Sequence, residues 1–132
     1  MGGEESLRSP MLIGLLLPWA VACDQDPFGF SERRVAGDYR LNQFESGHYY
    51  LVGGPQPDNG GGAIDGTVLR LGWDARYIVV QRQALAGGDT AWMVVDVARR
   101  MVTGPFTERE LRARPELARL QVVRADSAWR KL

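Results

Sequence analysis

Apolar and polar residues alternate with a period of two through much of residues 36–97. Tyr39 and Leu41 alternate with Asp38, Arg40 and Asn42, the spacing of a half-buried strand. The aromatic and β-branched run His48-Tyr49-Tyr50-Leu51-Val52, bounded by Gly47 and Gly53-Gly54, predicts a second strand. Thr67–Trp73 and Tyr77–Gln83 flank the short polar segment Asp74-Ala75-Arg76 and read as a hairpin. In it Ile78 and Val80 share one face, while Tyr77 and Val79 share the other. Gly87-Gly88-Asp89 makes the next turn. Ala91–Val97 is continuous enough in apolar residues to lie centrally in a sheet. Between the second and third strands, residues 53–66 hold six glycines and two prolines, a composition that predicts a long permissive loop.

After Val97 the pattern changes. Gly104-Pro105 marks the end of the strand region, and Thr107-Glu108-Arg109-Glu110 has the form of a capping box. A short helix from there should reach about Arg114. Pro115 then opens a second helical turn, with Glu116 near its positive end. Leu120-Gln121-Val122-Val123 alternates weakly and returns as a last strand. These elements predict an α+β fold, mostly β. Its antiparallel sheet has five to six strands in meander-like order, with one or two short C-terminal helices.

The N-terminal segment obeys a different rule. Met11 to Ala22 is an apolar run of 12 residues, far short of the ~20 that span a bilayer. It follows the basic Arg8 and closes in small residues before Cys23, which fits a secretory signal peptide and its cleavage site. Ala20-Val21-Ala22-Cys23 resembles the lipobox of bacterial lipoproteins, departing from it at Ala20, where leucine is usual. Further pieces resemble small bacterial lipoproteins whose families bring no established reaction: Gly37-Asp38-Tyr39-Arg40-Leu41, Gly72-Trp73-Asp74-Ala75-Arg76-Tyr77-Ile78-Val79, Trp92-Met93-Val94-Val95-Asp96 and Gly104-Pro105-Phe106.

The resemblance implies cleavage before Cys23, diacylation of that cysteine and anchorage in a membrane of the cell envelope. In a Gram-negative cell the domain would then face the periplasm. Asp24 resembles the inner-membrane retention signal of some enterobacterial lipoproteins. The expected organisation is a signal peptide over 1–22, a lipidated tether over 23–35 and one β-rich domain over 36–132.

Charge and cysteine content narrow the function. Without Glu4, Glu5 and Arg8 the chain keeps 15 basic and 14 acidic residues, a balance that argues against bulk capture of nucleic acid. The balance is uneven: residues 24–98 carry six arginines against ten acids, and 99–132 carry nine basic residues against four. That asymmetry predicts a basic face. One cysteine permits no internal disulfide, and acylation would block it as a nucleophile.

His48 is the only histidine, which excludes a two-histidine zinc site; a pair with Ser46 and a distant aspartate stays open. Glycines 60–62 and 66 are followed by no Gly-Lys-Ser/Thr, and Asp58, Asn59 and Asp65 lack the alternation of a calcium loop. No catalytic residue, cofactor or metal is assigned.

Tyr49, Tyr50, Trp73, Tyr77 and Trp92 form an aromatic set denser than a bare scaffold needs, and stand as candidate partner-binding residues. The expected function is a non-catalytic binding or accessory module, held to the membrane through Cys23 and contacting an envelope protein. One alternative is an inhibitor or immunity protein that uses the 53–66 loop as a plug. A second is a small hydrolase working with carboxylates such as Asp38, Asp65, Asp74 or Asp96.

Overall fold

The computed structural model describes residues 30–55, 62–85 and 87–132. The segment expected as a signal peptide (1–22), Cys23 and residues 24–29 of the expected tether lie outside the described residues. Eight strands and three short helices make up the described part. The strands are β1 (Phe30–Ala36), β2 (Tyr39–Phe44), β3 (Tyr49–Val52), β4 (Thr67–Trp73), β5 (Tyr77–Gln83), β6 (Thr90–Asp96), β7 (Met101–Phe106) and β8 (Val123–Arg124). The helices are α1 (Glu108–Arg112), α2 (Pro115–Ala118) and α3 (Ala125–Lys131). The fold is α+β and mostly β.

The strands divide into two sheets, where one meander was expected. One has the order β1-β2-β3 and the other β7-β6-β5-β4-β8, with every pairing antiparallel. Alternation fixes which face of a strand is buried, and leaves open which sheet the strand joins. The break falls between β3 and β4. There the glycine-rich segment carries the chain from one sheet to the other.

Two cores result. Tyr39, Leu41 and Leu51 of the smaller sheet pack against Val68, Leu71, Ile78, Val80 and Val95 of the larger one, sealed by Ile64 and by Ala125, Ala128 and Trp129 of α3. On the opposite face of the larger sheet, Tyr77, Val79, Trp92 and Val94 pack against Leu111, Leu117 and Leu120 around α1 and α2. The five-stranded sheet is therefore a middle layer, and Tyr77, Ile78, Val79 and Val80 are buried in succession.

Local chemistry holds the elements that were expected. In the β4–β5 hairpin the Asp74 carboxylate accepts the Arg76 and Tyr77 N–H groups, both at 2.8 Å. Thr107 caps α1 in a complete capping box: its hydroxyl accepts the Glu110 N–H at 3.1 Å, and the Glu110 carboxylate accepts the Thr107 N–H at 3.0 Å. Pro115 opens α2 as its first residue.

Three elements depart from expectation. Residues 30–35, expected as tether, belong to β1, whose ladder with β2 runs from Phe30↔Phe44 to Ala36↔Tyr39. The strand region continues through Gly104-Pro105 as β7, an edge strand, where proline removes no ladder bond that matters. The last strand shrinks to Val123–Arg124, and the chain closes in α3.

Candidate functional site

Strand period decides which aromatic residues are available to a partner. Tyr49 turns inward and tilts against Trp129, ring centroids 6.0 Å apart. Trp73 packs against the first core, half-buried. Tyr77 and Trp92 are only 8% and 7% exposed in the second core, so neither offers the binding surface expected of it. Of the five, Tyr50 alone lies on the outer face of the small sheet, at a concavity.

That concavity is a groove of about 370 Å³. Leu41 of β2 faces the core, so its neighbours Asn42 and Phe44, two residues apart, face outward together. Tyr50 stands opposite Asn42 in the β2–β3 ladder and meets Phe44 edge-to-face, ring centroids 5.0 Å apart at 84°. Ser46, Val52, Gly62 and Leu85 also line it, and among the described residues none of the lining side chains is charged. Leu85 is 61% exposed and Phe44 37%, large apolar groups left at the surface.

Gly62 brings the end of the 53–66 segment against β3. Its φ is +80°, and a Cβ there would meet the Leu51 carbonyl oxygen at 2.7 Å. The next residue, Ala63, donates its N–H to that same oxygen at 2.9 Å. Two residues on, Ile64 is a core residue at 2% exposure. The segment expected to be wholly permissive is therefore fixed at its C-terminal end.

Asn42 is the polar feature of the groove. It is 8% exposed, and its Oδ1 is buried without a hydrogen-bond donor. A buried amide oxygen left unpaired costs on the order of 1–3 kcal/mol. Ser46 is engaged differently, with its Oγ 2.9 Å from Nδ1 of His48 in an exposed turn. No carboxylate among the described residues hydrogen-bonds His48, so the pair lacks the group that would orient a general base.

Three of the four carboxylates considered for hydrolysis, Asp38, Asp74 and Asp96, are engaged at separate turns. Asp38 accepts the Gly54 N–H at 3.2 Å and pairs with Arg100 at 2.9 Å. Partial desolvation pushes its carboxyl up, but those two partners outweigh it and hold it below the ordinary range. Asp74 behaves alike: desolvation raises it, while the Tyr77 and Arg76 N–H groups and Arg119 bring it down. Asp96 caps the β6–β7 turn through the Arg99 N–H. Asp65 is exposed beside Ile64. Among the described residues no three His, Cys, Asp or Glu side chains cluster in a way that would hold a metal ion.

A second concavity, about 420 Å³, lies along the seam between α1, α2 and the sheet, lined by Arg70, Glu108 and Arg112 over Trp92 and Leu117. Its floor is the second core, and charges of both signs rim it. No helix among the described residues is long and apolar enough to cross a membrane. No protein family, curated protein or solved structure matches the chain.

Proposed function

We propose that this protein is a lipid-anchored, non-catalytic binding module of the cell envelope, and that the groove on the outer face of the small sheet is its binding site. The observation that carries the reading is the groove lined by Asn42, Phe44, Tyr50 and Leu85, whose described lining holds no charged side chain and leaves Leu85 61% exposed. A surface of that kind suits recognition. The signal-like run ending at Cys23 supports the anchor.

The two features are joined by geometry. Six residues lie between Cys23 and Phe30, seven Cα-to-Cα steps with a reach of at most about 25 Å. Phe30 pairs with Phe44, so the chain enters the domain at the end of the small sheet that carries the groove. An anchor at Cys23 would hold the groove close to the bilayer.

Fractionation tests the anchor. Two acyl chains give stable attachment where one does not, so Cys23→Ser should leave the membrane fraction or keep its leader. A serine variant with wild-type mature mass and wild-type membrane partition would overturn the lipoprotein reading.

A further inference from the structure

We infer that the protein binds a phosphate monoester group in a second site, a cleft where Arg76, Arg99 and Arg114 meet. The cleft stands apart from the Tyr50 groove, across the middle layer from it, because Tyr77 and Val94 of the second core line it. Arg76 comes from the β4–β5 turn, Arg99 from the β6–β7 turn and Arg114 from the link between α1 and α2. Three guanidinium groups distant in sequence thus line one concavity of about 230 Å³. That is smaller than the sites that enclose whole drug-sized molecules, and suits a single charged group.

Each guanidinium is steadied while its gripping atoms stay free. Arg114 donates its Nε–H to Glu116 at 3.0 Å, and Arg99 meets Asp96 through Nε at 3.8 Å. Arg76 lies over the Tyr77 ring, 5.1 Å from its centroid. Among the described residues, the terminal Nη groups of all three donate no hydrogen bond. Those are the N–H donors that fork onto an oxyanion. A carboxylate has two oxygens for three such forks, whereas a phosphate monoester brings three terminal oxygens. Charge agrees with this. With the Arg119–Asp74 pair beside Arg76, four arginines stand with three carboxylates, Asp74, Asp96 and Glu116, and one positive charge is left over. The Thr103 hydroxyl in the lining adds a donor, and Met101, 54% exposed, offers an apolar contact to whatever carries the phosphate.

The test uses the full chain carrying Cys23→Ser, titrated with glycerol phosphate at constant ionic strength and followed by the arginine Nε–H resonances. Saturable binding at one site should shift the signals of Arg76, Arg99 and Arg114. Adding Arg99→Gln or Arg114→Gln should each weaken binding about tenfold, the value of a hydrogen bond between charged groups. Arg130→Gln removes the same charge from α3, on the other side of the middle layer, and should change binding less than about twofold. Thermal melting of each variant checks that the fold persists. Phosphatidylcholine vesicles containing phosphatidic acid, whose phosphate is a monoester, then separate two sources of the group. Displacement of glycerol phosphate from the cleft by these vesicles assigns it to a lipid head, and undisturbed binding assigns it to a soluble ester.

Shifts that never saturate would overturn the site. Equal weakening by Arg130→Gln and Arg114→Gln would also overturn it, because overall charge and not the cleft would then attract the anion. The glycerol phosphate titration involves neither the Tyr50 groove nor the anchor, so it succeeds or fails independently of the Cys23 fractionation.

Discussion

At the scale of single residues, the two-sided burial of the middle sheet changes what a substitution costs. Tyr77 would tolerate truncation if its face were solvated, but at 8% exposure it packs among the residues that meet α1 and α2. Ile64 sits in a segment whose composition reads as loop, yet it fills the space between the sheets. Tyr77→Ala and Ile64→Ala should therefore each cost about 2–5 kcal/mol, the usual range for cavities in a core. Urea unfolding followed by tryptophan fluorescence measures this, and a cost below about 1 kcal/mol for Ile64→Ala would show that the segment does not seal the core. Any variant that shortens the glycine-rich segment must keep Ala63 and Ile64, because these two tie it to Leu51 and to the core.

At the scale of elements, what was legible in the sequence is what local chemistry decides. The β4–β5 hairpin follows from Asp74 and two strong flanking runs, and α1 follows from the reciprocal Thr107–Glu110 cap. β1 was not legible, since Ser31, Glu32, Arg33 and Arg34 are all exposed and the strand is recruited by its ladder with β2. β7 was hidden by Gly104-Pro105, which only an edge position accommodates. The groove was hidden for a similar reason: it joins β2, β3 and the turn after β5, and an outward-facing asparagine in an alternating strand looks like any solvated residue. Only Tyr50 pointed to it.

α3 did leave a signal, because Ala125, Ala128 and Trp129 have the i, i+3, i+4 spacing of a buried helical stripe. That helix is latched to the small sheet. The Arg33 guanidinium lies 4.5 Å from the Trp129 ring centroid and donates to the Trp129 carbonyl oxygen. Trp129→Ala should cost about 3–5 kcal/mol. Arg33→Ala should cost much less, about 0.5–1 kcal/mol, since the cation sits at an exposed edge. Similar costs for the two in urea unfolding would mean that the latch, rather than burial of the indole, holds the helix.

At the scale of the whole molecule, the charge asymmetry along the chain is largely closed by the fold. Of the nine basic residues in 99–132, Arg99, Arg100 and Arg119 pair with Asp96, Asp38 and Asp74 of the acidic part, and Arg112, Arg114 and Arg124 pair with neighbouring acids. The basic stretch thus reaches back as a set of exposed clasps, each screened by solvent and weak on its own. Asp74 is the clasp with the most partners, and its folded carboxyl lies below the ordinary value of 3.8. A depressed carboxyl stabilises the fold above its unfolded pKa, and that contribution is lost as the pH falls through the folded value. Between those two values the unfolded chain binds the proton and the folded chain does not. Asp74→Asn can still accept the Arg76 and Tyr77 N–H groups through its amide oxygen, but it carries no charge for Arg119. The variant should therefore unfold at lower urea than wild type at pH 7, and the gap should narrow steadily as the pH is taken from about 5 down to 3. A gap that stays constant over that range would show that Asp74 acts through shape and neutral hydrogen bonds alone, and that its charge contributes nothing to closing the molecule.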